Sequence, residues 1–175
     1  MKQLRQFVVA GAAMVAAAAA PGSAQTARRV TFVTNSYEVR VEQFSAGSLA
    51  NGTRYVAFGG DAKAVNGKVA ADLKTFAFTV FYDIAPAGVV TINDGTFMIQ
   101  TINKDRVPLN VGGDILGGAT VNLGAGGTLA AGQKLSLALV GSEGTDITGV
   151  LTATTDKSSS SRLSGMLSLT YPVVQ

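Results

Sequence analysis

Carboxylates, hydroxyls and amines carry whatever reactivity this chain has, because its 175 residues include no histidine, cysteine or tryptophan. Without histidine there is no Ser-His-Asp triad, no Cys-His pair and no His-ligated zinc or iron. No Ser-x-x-Lys motif or nucleophile elbow frames a serine. The remaining catalytic route is a pair of carboxylates of the glycosidase kind. Its candidates are Asp61, Asp72, Asp83, Asp94, Asp105, Asp114, Glu143 and Asp146. Most of them stand beside glycine or other turn formers, where aspartate serves to turn the backbone. Asp83 differs, since it ends an aromatic run next to Tyr82, where burial would raise its carboxyl pKa, but the favoured reading is a solvated strand-end aspartate. Gly112-Gly113-Asp114 and residues 142–146 offer the oxygen ligands that calcium takes. Neither has the spacing of a known calcium loop, so no metal and no cofactor is expected, and the chain reads as a non-enzyme.

The second constellation is aromatic. Tyr55, Phe58, Phe76, Phe78, Phe81, Tyr82 and Phe97 come from successive apolar runs and are expected to gather. Core packing accounts for such a cluster. The functional alternative is a cavity at a barrel mouth, lined by Phe76, Phe78, Tyr82, Asp83 and Phe97, in which an apolar small molecule lodges.

The elements that must position these residues are strands. Tyr37, Val39 and Val41 alternate with Glu38, Arg40 and Glu42, the pattern of a strand with one buried and one charged face. Phe76, Phe78, Val80 and Tyr82 alternate in the same way, as do Leu135, Leu137 and Leu139, and then Leu163, Gly165, Leu167, Leu169 and Tyr171. Asn51-Gly52, Asn66-Gly67 and Asp94-Gly95 read as tight hairpin turns. The last of these is expected to set Ile92 opposite Phe97 and Val90 opposite Ile99. Pro86 with Gly88, Lys104-Asp105-Arg106, Ser142-Glu143-Gly144 and residues 158–161 mark further turns and loops. The glycine-rich residues 112–132 read as short edge strands and turns, with a bent barrel strand or a lid as the alternative. The expectation is one all-β antiparallel domain of about eight to ten strands, a meander barrel or a sandwich.

Residues 1–24 have the layout of a cleaved secretory signal peptide. Lys2 and Arg5 precede an apolar run that ends at Pro21-Gly22-Ser23-Ala24. The run is short of the ~20 apolar residues a membrane span needs. Cleavage is expected after Ala24, with Ala27 as the competing site, leaving residues 25–175 as the domain. Two of the 14 basic residues leave with that segment, so 12 basic face 11 acidic residues, a net charge of +1. No basic patch for nucleic acid is present. The expected location is periplasmic or secreted, with no transmembrane segment in the mature chain.

Phe-Thr-Val-Phe-Tyr-Asp before Asp94-Gly95-Thr96-Phe97, and Leu163-Ser164-Gly165-Met166-Leu167-Ser168-Leu169-Thr170, resemble the strand-turn-strand patterns of glycine-rich exported bacterial β proteins. They are also similar to those of the small allene-oxide-cyclase and dirigent barrels. These pieces transfer no functional residue. The function expected is binding, or membership in a cell-envelope or surface assembly, with a homo-oligomer as one form. The alternative is a small barrel holding an apolar molecule, with or without isomerase or cyclase activity. Residues 29–44, a long β-prone segment just after the cleavage site, are a further place where a neighbour's sheet edge can pair.

Overall fold

Period-two alternation gives each strand one apolar face, and a closed sheet buries all of those faces together. A computed structural model describes residues 29–66, 71–83, 88–103, 108–123 and 129–174. They form β1 (Val30–Ser48), β2 (Arg54–Asn66), β3 (Ala71–Tyr82), β4 (Val89–Asn103), β5 (Pro108–Ile115), β6 (Thr120–Asn122), β7 (Lys134–Gly141), β8 (Thr148–Thr155) and β9 (Arg162–Val174). Every pairing is antiparallel. The order β3-β2-β1-β9-β8-β7-β5-β4 returns from β4 to β3, which closes an eight-stranded barrel. The short β6 stands outside the ring and pairs with the first residues of β4. The expected turn residues Gly67, Pro86 and Lys104-Asp105-Arg106, and residues 1–24, lie outside the described residues.

The expected alternation appears in the burial. Tyr37, Val39 and Val41 point inward from β1, Leu135, Leu137 and Leu139 from β7, and Leu163, Leu167 and Leu169 from β9, all in one apolar cluster. Glu38, Arg40 and Glu42 face water. The apolar interior thus sits inside a wall that carries Glu38, Arg40, Glu42, Asp61 and Lys63 on its outer face.

One expected hairpin is absent. Asp94-Gly95 lies inside the continuous strand β4, where Gly95 is buried and pairs with Val80 on one side and Ile115 on the other. The pairing skips from Phe81–Asp94 to Tyr82–Ile92, leaving Asn93 as a bulge. The bulge shifts the inward set from Val90 and Ile92 to Phe97 and Ile99. Asn-Asp-Gly is therefore bulge chemistry here. Glycine is required because a Cβ at position 95 would sit 2.3 Å from the Thr79 carbonyl. Phe44, also skipped in its ladder, is likewise exposed, at 70%. Such bulges bend strands, as closing a barrel demands.

The Asn51-Gly52 turn is present. Gly52 N–H donates to the Leu49 carbonyl (3.0 Å), and Leu49 N–H donates to the Thr53 carbonyl (2.8 Å). The positive φ of 91° falls on Gly52 alone, so this is a three-residue turn with a glycine bulge.

Described residues between β5 and β7 cover the barrel end at which β1 finishes. Val121 and Leu129 join the core cluster there. Thr155 pins the segment, its hydroxyl donating to the Ala130 carbonyl (2.6 Å) and accepting from Gln133 N–H (2.7 Å). Short edge strand and cover are thus one element.

Candidate functional site

The barrel wall separates the five residues expected to line one cavity. Phe76, Phe78, Tyr82 and Phe97 point inward and are 0, 2, 4 and 4% exposed, each belonging to the packed core. Phe78 stacks on Phe58 at 5.1 Å between ring centroids and lies 5.6 Å from Phe76. Burial pushes the Tyr82 phenol above its ordinary pKa, and the Arg54 charge opposes that shift. Asp83 stands outside, exposed at the end of β3, where its Oδ2 accepts from Asn93 Nδ2 at 2.9 Å. Water reaches this carboxylate, as a solvated strand-end aspartate requires. The aromatic gathering also splits by strand parity, with Tyr55 and Phe81 forming a separate pair, 6.5 Å apart, on the outer face.

Among the described residues, two clefts lie on that outer face, and neither is lined by the inward aromatic side chains. One, of about 490 Å³, runs between β3, β4 and β5 and is lined by Phe81, Asp94, Thr96, Asp114 and Leu116 with Gly95, Ile115 and Gly117. Asp114 is directly across the ladder from Thr96, and Asp94 from Phe81. The cleft thus offers two carboxylates and a hydroxyl beside a ring and an exposed leucine, groups suited to hydrogen-bonding a polar ligand against an apolar patch. Reading Asp94 as a hairpin residue hid this pairing. The bulge at Asn93 is what turns Asp94 outward beside β5.

The second cleft, of about 280 Å³, is lined by Glu38, Arg40, Asp61 and Lys63. Glu38 pairs across the ladder with Lys63 and Arg40 with Asp61, which makes a checkerboard of alternating charge. Glu42 extends it through an exposed ion pair with Arg162. The two stretches with calcium-like composition meet differently, since Ser142 uses both N–H (2.9 Å) and hydroxyl (2.7 Å) to satisfy the Gly112 carbonyl. The Thr145 hydroxyl caps the Ser142 carbonyl (2.6 Å). Turn closure occupies these oxygens, and among the described residues no three carboxylates gather as a metal site.

Sequence reasoning passed over the opposite barrel end. Asn35 takes an inward position in the Val33, Asn35, Tyr37, Val39 alternation and is 1% exposed. Neither its Nδ2 nor its Oδ1 has a hydrogen-bond partner. Nearby on the same inner face, burial raises the Tyr171 phenol pKa, against a hydrogen bond with Tyr37. The available signal was a lone amide on an apolar stripe.

Beyond Asn35, among the described residues, the wall thins to a ribbon. β2 first pairs with β1 at Ser36, and β8 first pairs with β9 at Thr170, while β1 and β9 stay paired out to Val30 and Val174. Val30, Phe32, Val33 and Val173 on this ribbon are 50, 63, 37 and 38% exposed. Comparison of the chain with known protein families, curated proteins and solved structures gives no match.

Proposed function

We propose that this chain is an exported, non-enzymatic β-barrel domain that acts by binding through its outer surface, as part of a cell-envelope or surface assembly. One observation carries the reading. Among the described residues, inward positions around the barrel are occupied by packed apolar side chains, Asn35 and Thr155 excepted, whereas the two clefts and the exposed apolar ribbon lie on the outside. Function then belongs to the wall and its edges, where binding energy comes from contacts made across a surface. The signal-like residues 1–24 supply the export half of the proposal.

The test is co-sedimentation of the purified domain with envelope fractions of its own cell. Saturable binding weakened by Asp94→Asn/Asp114→Asn or by Arg40→Glu supports the reading and says which cleft is used. No association at any concentration, with the barrel intact by circular dichroism, overturns it.

Asn35 favours the alternative of a ligand-holding barrel, because a buried amide with both polar atoms unpaired is suited to receive a bound molecule. Extra mass in a native mass spectrum, lost on denaturation, would support that alternative.

A further inference from the structure

Charge is paired on one side of the barrel wall and unpaired on the other. On β1 and β2 each outward carboxylate has a basic residue across a ladder, Glu38 with Lys63 and Asp61 with Arg40. Glu42 has Arg162 across the β1–β9 ladder. From Ile84 to Asn103 and from Val107 to Gln133 the sequence holds no lysine or arginine, so β4 and β5 have none. Asp94 and Asp114 stand exposed there, and among the described residues no side chain forms a hydrogen bond or ion pair with either carboxylate. We infer that the cleft between β3, β4 and β5 receives an arginine side chain presented by a partner protein. The inference rests on the proposed surface-binding role and names the chemistry that this cleft recognises.

Ladder geometry sets the two carboxylates together. Asp94 and Thr96 are two residues apart in β4 and share its outer face, and Asp114 is directly across from Thr96. Asp94 and Asp114 are therefore diagonal neighbours, with Cα atoms roughly 7–8 Å apart. Two like charges at that spacing, without a counter-ion from the chain, favour a cation between them. Phe81 lies across the other ladder from Asp94, half-buried, with the Tyr55 ring behind it at 6.5 Å. Leu116, 50% exposed, lines the opposite flank of the cleft. Negative charge is thus set between a ring and a leucine, which suits a cation carried on an apolar stem.

This combination discriminates among cations. A metal ion needs several oxygens converging on one point, and among the described residues no three acidic groups gather. An ammonium is a compact, strongly hydrated point charge. A guanidinium is planar, donates through several N–H groups in a fixed fork and stacks on aromatic faces. It can donate to both carboxylates while its plane and stem rest on Phe81. The Thr96 hydroxyl, between the two, accepts a further N–H. The cleft is open to water, where an ion pair by itself contributes little. A freely diffusing guanidinium is therefore held weakly, whereas one carried on a protein is held by the surrounding surface as well. Arginine is among the residues enriched at protein interfaces.

A defined probe reads the site. A short peptide with blocked ends and a single arginine among uncharged residues is titrated into the isotope-labelled chain, and amide chemical shifts are followed. Matched peptides carry lysine or neutral citrulline in its place. Shifts are expected at Gly95, Thr96, Ile115 and Gly117, weaker with lysine, absent with citrulline, and reduced by added salt. Asp94→Asn/Asp114→Asn, at two exposed positions, should weaken arginine binding by about tenfold or more, the size of a lost charge-assisted contact. Phe81→Leu should narrow the preference for arginine over lysine and leave the salt dependence in place. Equal shifts with lysine or citrulline, shifts centred on the Glu38–Asp61 cleft, or no shift at millimolar peptide overturn the inference. Envelope co-sedimentation of the same preparation separates the readings: association retained without peptide binding sinks the arginine cleft alone, and no association sinks the surface-binding role beneath it.

Discussion

Asn35 is the side chain whose placement works against the barrel's stability. A buried amide with neither polar atom paired carries a desolvation penalty of about 1–3 kcal/mol. Asn35→Leu, close in shape and apolar, is expected to raise the denaturant midpoint by a corresponding amount. An unchanged or lower midpoint would mean that a molecule pairs with the amide in the native protein. Tyr82 and Tyr171 make a second residue-level case, since burial raises both phenols above the ordinary value of 10.0. A raised native pKa means that the unfolded chain loses its phenolic protons first. The stability from these two groups is full below about pH 10 and is lost as pH climbs through their native values. Unfolding free energy should therefore fall above pH 10, and the double variant Tyr82→Phe/Tyr171→Phe should flatten that fall. Denaturant titrations at pH 8 and pH 11 measure it.

Bulges and pins decide how the strands meet. Asn93 is one extra residue in β4, and it lets Val90 and Ile92 point inward together with Phe97 and Ile99. Deleting it puts the two halves of β4 in conflict, so that one pair must face water. Exposing two such side chains costs about 1.5–3 kcal/mol each. A deletion variant is expected to lose about 3–6 kcal/mol or fail to fold, readable by chemical denaturation; native stability would refute the bulge. The Thr155 hydroxyl makes two hydrogen bonds that hold the segment before β7. Thr155→Val keeps the shape and removes both. Stability should drop by about 1–3 kcal/mol, and amide exchange should speed up around Ala130 and Gln133 while β1 and β9 keep their protection.

Across the whole molecule, the polarity of the barrel directs attention outward. The interior cluster runs through all eight barrel strands, with Ile115 as the member from β5. A chain with this core and no disulfide rests on packing, which its length allows. The proposed export makes a direct prediction as well. Protein recovered from its own cells is expected to begin at Gln25, and an intact mass that instead places Arg28 first, the residue left by cleavage after Ala27, would refute that site.

Some of this was written in the chain itself. Alternation of apolar and polar residues is a local property, so the all-β class, the buried faces of β1, β3, β7 and β9, and the turn at Gly52 were legible from single segments. Closure was not, because the β1–β9 ladder joins residues at opposite ends of the chain, and one sequence holds no record of that contact. The same limit hid the outer cleft. Asp94-Gly95 has the local chemistry of a hairpin, and only the approach of β3 and β5 on either side makes it a bulge inside a strand. Local sequence determined which residues face inward along most strands; tertiary structure decided which strands meet, where they stop meeting, and so which surfaces remain for a partner, because strand pairing is a long-range choice among many locally equivalent edges.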